Sequence, residues 1–190
     1  MLDAITKSLK KIFGTKQEKD VKRFMPVVEE INEIYEGLAA LSHDELRNKT
    51  IEFRERIAEY LSDIDKDIES LQQEADHSTD ILEKERLFEE VDQLIEERDQ
   101  HLEEVLEEIQ AEAFAVVKET CRRFKENEEI VVTATDHDRD LAGQGKKTYI
   151  KIKKDQAIWK NRWDAAGMDI VWDMVHYDVQ LIGGLALHTG

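Results

Sequence analysis

The spacing of apolar residues through the middle of the chain constrains its fold more than any other feature. Ile57, Leu61, Ile64, Ile68, Leu71 and Ala75 recur at alternating intervals of four and three. That is the seam of a helix packed lengthwise against another. A second seam runs through Phe88, Val91, Ile95, Leu102, Val105 and Ile109, with Arg98 at one seam position. Between them lies Asp76-His77-Ser78-Thr79-Asp80, and Asp80 with Glu83 reads as a capping box that opens a new helix. Two seams joined by a short polar turn predict an antiparallel, coiled-coil-like helical hairpin over residues 60–108. Periodicity alone does not separate packing within one chain from pairing between chains. A homo-oligomer and a partner-binding arm therefore both stay open. A single Pro and eight Gly leave little for a loop-rich all-β fold.

The flanks follow the same logic. Residues 1–16 predict a short basic amphipathic helix. Leu2, Ile5, Leu9, Ile12 and Phe13 fall on one arc, Lys7, Lys10 and Lys11 lie opposite, and Gly14 is a natural stop. Such a helix docks on its own protein, frays in water, or inserts its apolar face at a membrane surface while the lysines meet anionic headgroups. A second helix spans 21–41 through Phe24, Val27, Val28, Ile31, Ile34, Tyr35, Leu38 and Leu41, with Pro26 in its first turn or at a kink. Ser42 with Glu45 forms a further capping box, so the N-terminal helices fill residues 17–59. Past the hairpin, Ala113, Phe114, Val116, Val117 and Cys121 carry a helix to about Lys125, within a segment taken as 109–129.

Beyond it the pattern changes. Residues 130–135 and 147–152 read as two strands of a small β-hairpin, with Asp136 to Lys146 as a polar loop between them. Trp159, Trp163, Trp172 and Tyr177 read as packing anchors of an irregular segment, so that 130–173 forms one hairpin and Trp-rich region. The predicted class is mainly α, with long helices, the helical hairpin and the small β-hairpin.

Charge is unevenly placed. The chain sums to −17, yet residues 1–25 carry seven Lys/Arg against three Asp/Glu. Residues 61–130 carry 24 acids against eight bases. Acidity on this scale repels phosphate, so no nucleic-acid partner is expected. One Cys excludes an internal disulfide framework and suits a reducing cytoplasm. Cys121 has Arg122 and Arg123 beside it, which could lower its pKa, but no His or second Cys accompanies it, so a buried structural thiol is expected. No apolar run is long enough for a membrane span.

Several motifs fail on inspection. Asp136, Asp138 and Asp140 have the opening spacing of a calcium loop, but Leu141 and Lys147 stand where Gly and Glu belong. Gly143-Gln144-Gly145-Lys146-Lys147-Thr148 lacks the Ser/Thr directly after Gly-Lys and the upstream Gly of a phosphate loop, and is read as a hairpin turn. The six His show no metal-ligand spacing, and no nucleophile–base arrangement stands out.

The run Met174-Val175-His176-Tyr177-Asp178-Val179-Gln180-Leu181-Ile182-Gly183-Gly184 is different. It resembles the adenine-recognition segment of the SecA family, the ATPase motors of bacterial preprotein translocation. Three more stretches agree in order: the opening LKKIFGTK, the region from Val21 to Arg56 with LSHDELRNKTIEFRERI, and Glu112-Ala113-Phe114-Ala115-Val116-Val117. The resemblance implies that 174–190 begins a partial nucleotide-binding domain rather than a complete doubly wound sheet. It gives Gln180 the adenine edge, through paired contacts to N6 and N7, and sets Met174 and Tyr177 near the base. Val175 stands where the family usually has Arg. The implied cofactors are ATP with Mg²⁺. The implied partners are the Sec channel, secretory preproteins and acidic phospholipids, at the cytoplasmic face of the membrane. The phosphate loop of the family is absent from these residues, so a fragment without catalytic residues of its own is expected, with no tight nucleotide binding. The stretches 60–108 and 130–173 exceed the commoner family pattern and read as insertions. The competing reading from the residues alone is a membrane-tethered coiled-coil adaptor without a nucleotide role.

Overall fold

The computed structural model describes residues 16–145 and 149–189. The predicted basic helix, with Leu2, Ile5, Lys7, Leu9, Lys10, Lys11, Ile12 and Phe13, lies outside the described residues. So do Lys147 and Thr148 of the second predicted strand. Three long helices come first: α1 (Lys16–Leu38), α2 (His43–His77) and α3 (Ile81–Glu126). Then follow β1 (Glu129–Thr133), α4 (Asp136–Gly143), β2 (Ile150–Lys153), β3 (Gln156–Lys160), β4 (Arg162–Ala165), β5 (Met168–Val171) and α5 (Asp178–Thr189). The chain is thus mostly helical with small antiparallel sheets. It divides into two compact units: Arg47–Gln110, and the described residues up to Leu46 together with those from Ala111 onward.

In the 47–110 unit, Leu61, Ile64 and Ile68 of α2 form a buried cluster with Val91 of α3. Ile57, Leu71, Leu94 and Leu102 pack around it. The α2 seam matches its predicted positions, but the α3 seam departs from them near the turn. Phe88 and Ile95 are exposed, while Leu87 is buried and Leu94 half-buried. A helix of 3.6 residues per turn drifts against a strict seven-residue repeat, so the contact line moves to the neighbouring apolar residue. Arg98 sits in the seam because its guanidinium reaches Asp65 on the other helix. The Tyr60 hydroxyl donates to Glu104 at 2.9 Å, and its ring meets His101 edge-on. At the turn, Asp80 Oδ1 accepts from the Leu82 N–H. Glu83 bonds the Ser78 hydroxyl instead of closing the predicted box. The Ser42–Glu45 box is complete, with both reciprocal hydrogen bonds made.

In the other unit the centre is a buried ion pair on α3. Glu119 is fully buried and takes hydrogen bonds from Arg123 Nε and from the Arg122 fork. Arg123 spends its other donors on the carbonyls of Leu38 and Leu41, where α1 ends, and contacts His43 Nδ1 at 3.1 Å. One guanidinium thereby joins the Leu41 N–H on the last carbonyl of α1, satisfies the Leu41 carbonyl just beyond it, and fixes the α1–α2 corner. Asp44 then holds β1, accepting from both the N–H and the hydroxyl of Thr133. Pro26 lies in the interior of α1 rather than in its first turn.

The sheets correct three expectations. First, residues 136–146 are not all loop, because α4 fills Asp136–Gly143. Thr135 caps it through a reciprocal box with Asp138, and Asp136 and Asp138 favour the positive end of the helix. The alternating aspartates mark a helix start. Second, β1 and β2 do not form a hairpin with each other. The sheet order is β1-β3-β2, with Glu129 opposite Lys160 and Ile150 opposite Trp159. The tight turn is Lys154-Asp155, where Lys154 adopts φ 59°. Residues 146–148 of the expected turn lie outside the described residues. Third, part of the Trp-rich region is regular strand, with Trp159 in β3 and Trp163 in β4, while Trp172 and Tyr177 follow β5 outside any strand. β4 and β5 pair across Ala166-Gly167, whose φ values of 54° and 86° are those of a two-residue hairpin turn. Ile130, Val132 and Ala157 form the sheet core, with Phe124 of α3 packed on it.

Acid should loosen the α1–α2 corner. Burial pushes His43 below its ordinary range, and the Arg123 guanidinium beside it acts the same way. Burial alone would raise the Glu119 carboxyl, but the hydrogen bonds from Arg122 and Arg123 outweigh it and hold the group low. Both groups therefore contribute stability above their unfolded pKa values that is lost as pH falls through the folded ones. The urea midpoint of residues 1–190 is expected to decline as pH drops below about 6.5. His43→Gln should flatten that first part of the profile and leave the decline at more acidic pH in place.

Candidate functional site

The segment 172–177 has no regular structure and leads into α5. Tyr177 is the residue before that helix, and its carbonyl accepts from the N–H groups of Gln180 and Leu181. Gln180 folds back so that Oε1 accepts from the Tyr177 N–H at 2.9 Å. This is the carboxamide half of a capping box, so one function of Gln180 is visible in the helix itself. The structure thus brings Tyr177 and Gln180 together. Met174 enters through its backbone, whose carbonyl accepts from Trp172 Nε1 at 2.9 Å. The three predicted residues are all exposed, Tyr177 at 75% and Met174 at 37%, so a planar ligand can reach them.

Behind this exposed rim α5 is firmly seated. Leu181 and Leu185 are buried, and the helix packs on α1. Asp178, its first residue, accepts from Asn32 Nδ2 at 3.0 Å, and Asn32 Oδ1 in turn accepts from Lys118 Nζ at 2.6 Å. The Lys118 ammonium also lies 5.0 Å from the centre of the Tyr35 ring. A Cβ on Gly184 would come within 2.8 Å of Phe114 Cε1. That close approach explains the glycine by packing alone.

Sequence reasoning missed Asn32 and Lys118, which fix the start of α5 from α1 and α3. The signal was a lone Lys closing the apolar run Ala113–Val117, where a buried ammonium needs a partner. Cys121 is buried as expected, and burial raises its thiol pKa. The flanking arginines are engaged by Glu119, and they do not activate it. Among the described residues no three His, Cys, Asp or Glu side chains converge on a metal site. No described helix is long and apolar enough to cross a membrane.

Comparison with known proteins decides the family. The SecA DEAD-like domain model matches residues 9–190. The chain belongs to the SecA DEAD-like domain family. It is 46% identical over 180 residues to the protein translocase subunit SecA of Phocaeicola vulgatus, which covers 95% of this chain. To SecA of Flavobacterium psychrophilum it is 46% identical over 186 residues, or 98% of the chain. To SecA of Christiangramia forsetii it is 47% identical over 182 residues, or 96% of the chain. In each case the chain spans 16% of the relative's length. No solved structure matches.

The seating of α5 gives a paired test. Gly183 has nothing within 4 Å of a built Cβ, so Gly183→Ala should raise stability by up to about 1 kcal/mol through helix propensity. Gly184→Ala drives a methyl into the Phe114 ring and should lower stability by about 1 kcal/mol despite the same propensity gain. Urea denaturation of both variants checks the sign of each.

Proposed function

We propose that this chain is the adenine-reading part of an ATP-driven motor that moves secretory preproteins through the Sec channel. The observation that carries the reading is the family match across residues 9–190. The exposed Tyr177–Gln180 pair at the start of a well-seated helix supports it locally. Gln180 supplies a donor and an acceptor side by side, the complement of adenine N6 and N7. Its oxygen is shared with the Tyr177 N–H, so the base competes with a helix cap for that atom. Tyr177 offers an open ring face for stacking, and Met174 a soft apolar contact at the edge.

In this reading the intact protein uses ATP with Mg²⁺ and works at the cytoplasmic face of the membrane. It binds there peripherally to the channel and to acidic phospholipids. The lysines at positions 7, 10 and 11 are the groups suited to the lipid headgroups. The sequence contains no complete phosphate loop, so the phosphates and Mg²⁺ are assigned to other residues of the motor. The 47–110 unit is read as a helical arm of coiled-coil type whose acids are its solvated surface.

Two measurements test this. Residues 1–190 should release no phosphate from ATP above background, and measurable turnover would end the assignment of the chemistry elsewhere. In the motor that contains the segment, Gln180→Ala should raise the KM for ATP about ten-fold and erase the preference for ATP over GTP. An unchanged preference would leave Gln180 as a helix cap only.

A further inference from the structure

Lys118 of α3 is only 9% exposed. A buried ammonium is rare and normally sits against a carboxylate. The contacts of Lys118 are instead to neutral groups: Nζ donates to Asn32 Oδ1 at 2.6 Å and lies 5.0 Å from the centre of the Tyr35 ring. The carboxylate comes one residue further on, where Asn32 Nδ2 donates to Asp178 Oδ1 at 3.0 Å. Chemistry forces the order of atoms in this relay. An ammonium only donates, so it claims the carboxamide oxygen. An ionised carboxylate only accepts, so it takes the carboxamide N–H. Asn32 is thus held in one orientation from both ends, and the charge on each side strengthens the bond on the other.

The relay ends at the first turn of α5. Asp178 opens that helix, directly after Tyr177 and two residues before Gln180. The same turn is closed by the Tyr177 carbonyl, which accepts from the Gln180 and Leu181 N–H groups, and by Gln180 Oε1, which accepts from the Tyr177 N–H. Leu181 and Leu185 seat the helix by apolar burial, which is non-directional and tolerates small shifts along the contact. The bond from Asn32 is directional and falls on the turn that carries the exposed pair.

We propose that Lys118 and Asn32 are positioning residues for base recognition. From α3 and α1 they hold Asp178, and through it the Tyr177–Gln180 turn, in the register that presents the Gln180 carboxamide to an adenine edge. The inference rests on the reading of Tyr177 and Gln180 as the adenine-recognition pair. Neither Lys118 nor Asn32 is assigned a contact with the base.

The test inverts the middle of the relay. Asn32→Asp keeps the side-chain shape and gives Lys118 an ion pair, but it sets a second carboxylate against Asp178. In the motor that contains the segment, this variant should raise the KM for ATP about five-fold, with kcat and the KM for GTP nearly unchanged. Combining Asn32→Asp with Asp178→Asn exchanges donor and acceptor across the same bond, and should return the KM for ATP to within about two-fold of the parent. Lys118→Met should behave like Asn32→Asp, and Lys118→Arg like the parent. A merely structural loss would move both nucleotides alike, and the exchange would not repair it. Gln180→Ala in the same assay separates the two levels. If Gln180→Ala erases the preference for ATP while Asn32→Asp leaves the KM for ATP unchanged, or while the exchange restores nothing, the inference is overturned and the adenine reading stands. If Gln180→Ala leaves the preference intact, the adenine reading fails and the inference falls with it. The exchange pair decides the matter even if Lys118→Met fails to fold.

Discussion

The unit that carries the candidate site depends on one guanidinium. Arg123 is held against the buried Glu119 and donates to the two carbonyls that close α1. A buried ion pair is an uncertain source of stability, since the desolvation of two charges offsets much of their attraction. Its value here is directional. The pair aims a fork of donors at a helix end whose carbonyls have no helical partner, and so dictates how α1 turns into α2. The turn sets Asp44 where it can bond Thr133, and that contact ties β1 to the helices. Arg122 clamps the same carboxylate from the adjacent position and extends to Glu126. The corner, the sheet and the helical base of α5 thus trace back to a short stretch of α3.

The helices were legible because their signals are local. Capping at Ser42–Glu45 and the seam from Ile57 to Ala75 need only a few neighbouring residues to be read. The α3 seam near Leu87 was less legible because two adjacent apolar residues, Leu87 and Phe88, both fit the spacing, and only the facing helix decides between them. The strands were harder for a different reason. β1 could be seen in Ile130–Thr133, but its partner is set by long-range pairing, and β3 lies beyond both α4 and β2 in sequence. Adjacency along the chain suggested a hairpin with β2, whereas β3 takes the central place. The tryptophans were read as anchors of irregular chain because strand alternation is short there and broken by the positive-φ turn at Ala166-Gly167.

The candidate site was legible only through the family resemblance. Gln180 on the surface of a helix carries no sign of function by itself, and its contact with Tyr177 is ordinary capping. Asn32 and Lys118, which hold Asp178, lie 146 and 60 positions from it in sequence. No local pattern connects them.

Clustering of the aromatic bulk has a spectroscopic consequence. Residues 47–110 contain no tryptophan, so intrinsic fluorescence excited in the indole band reports only on the unit with the sheets. Far-ultraviolet circular dichroism is instead dominated by helix, much of it in the hairpin. The tryptophan signal therefore watches one unit, while the dichroism sums helix from both, without any label. If the units unfold together, the two curves superimpose; if the acidic hairpin melts by itself, the dichroism falls while the tryptophans still report a native environment.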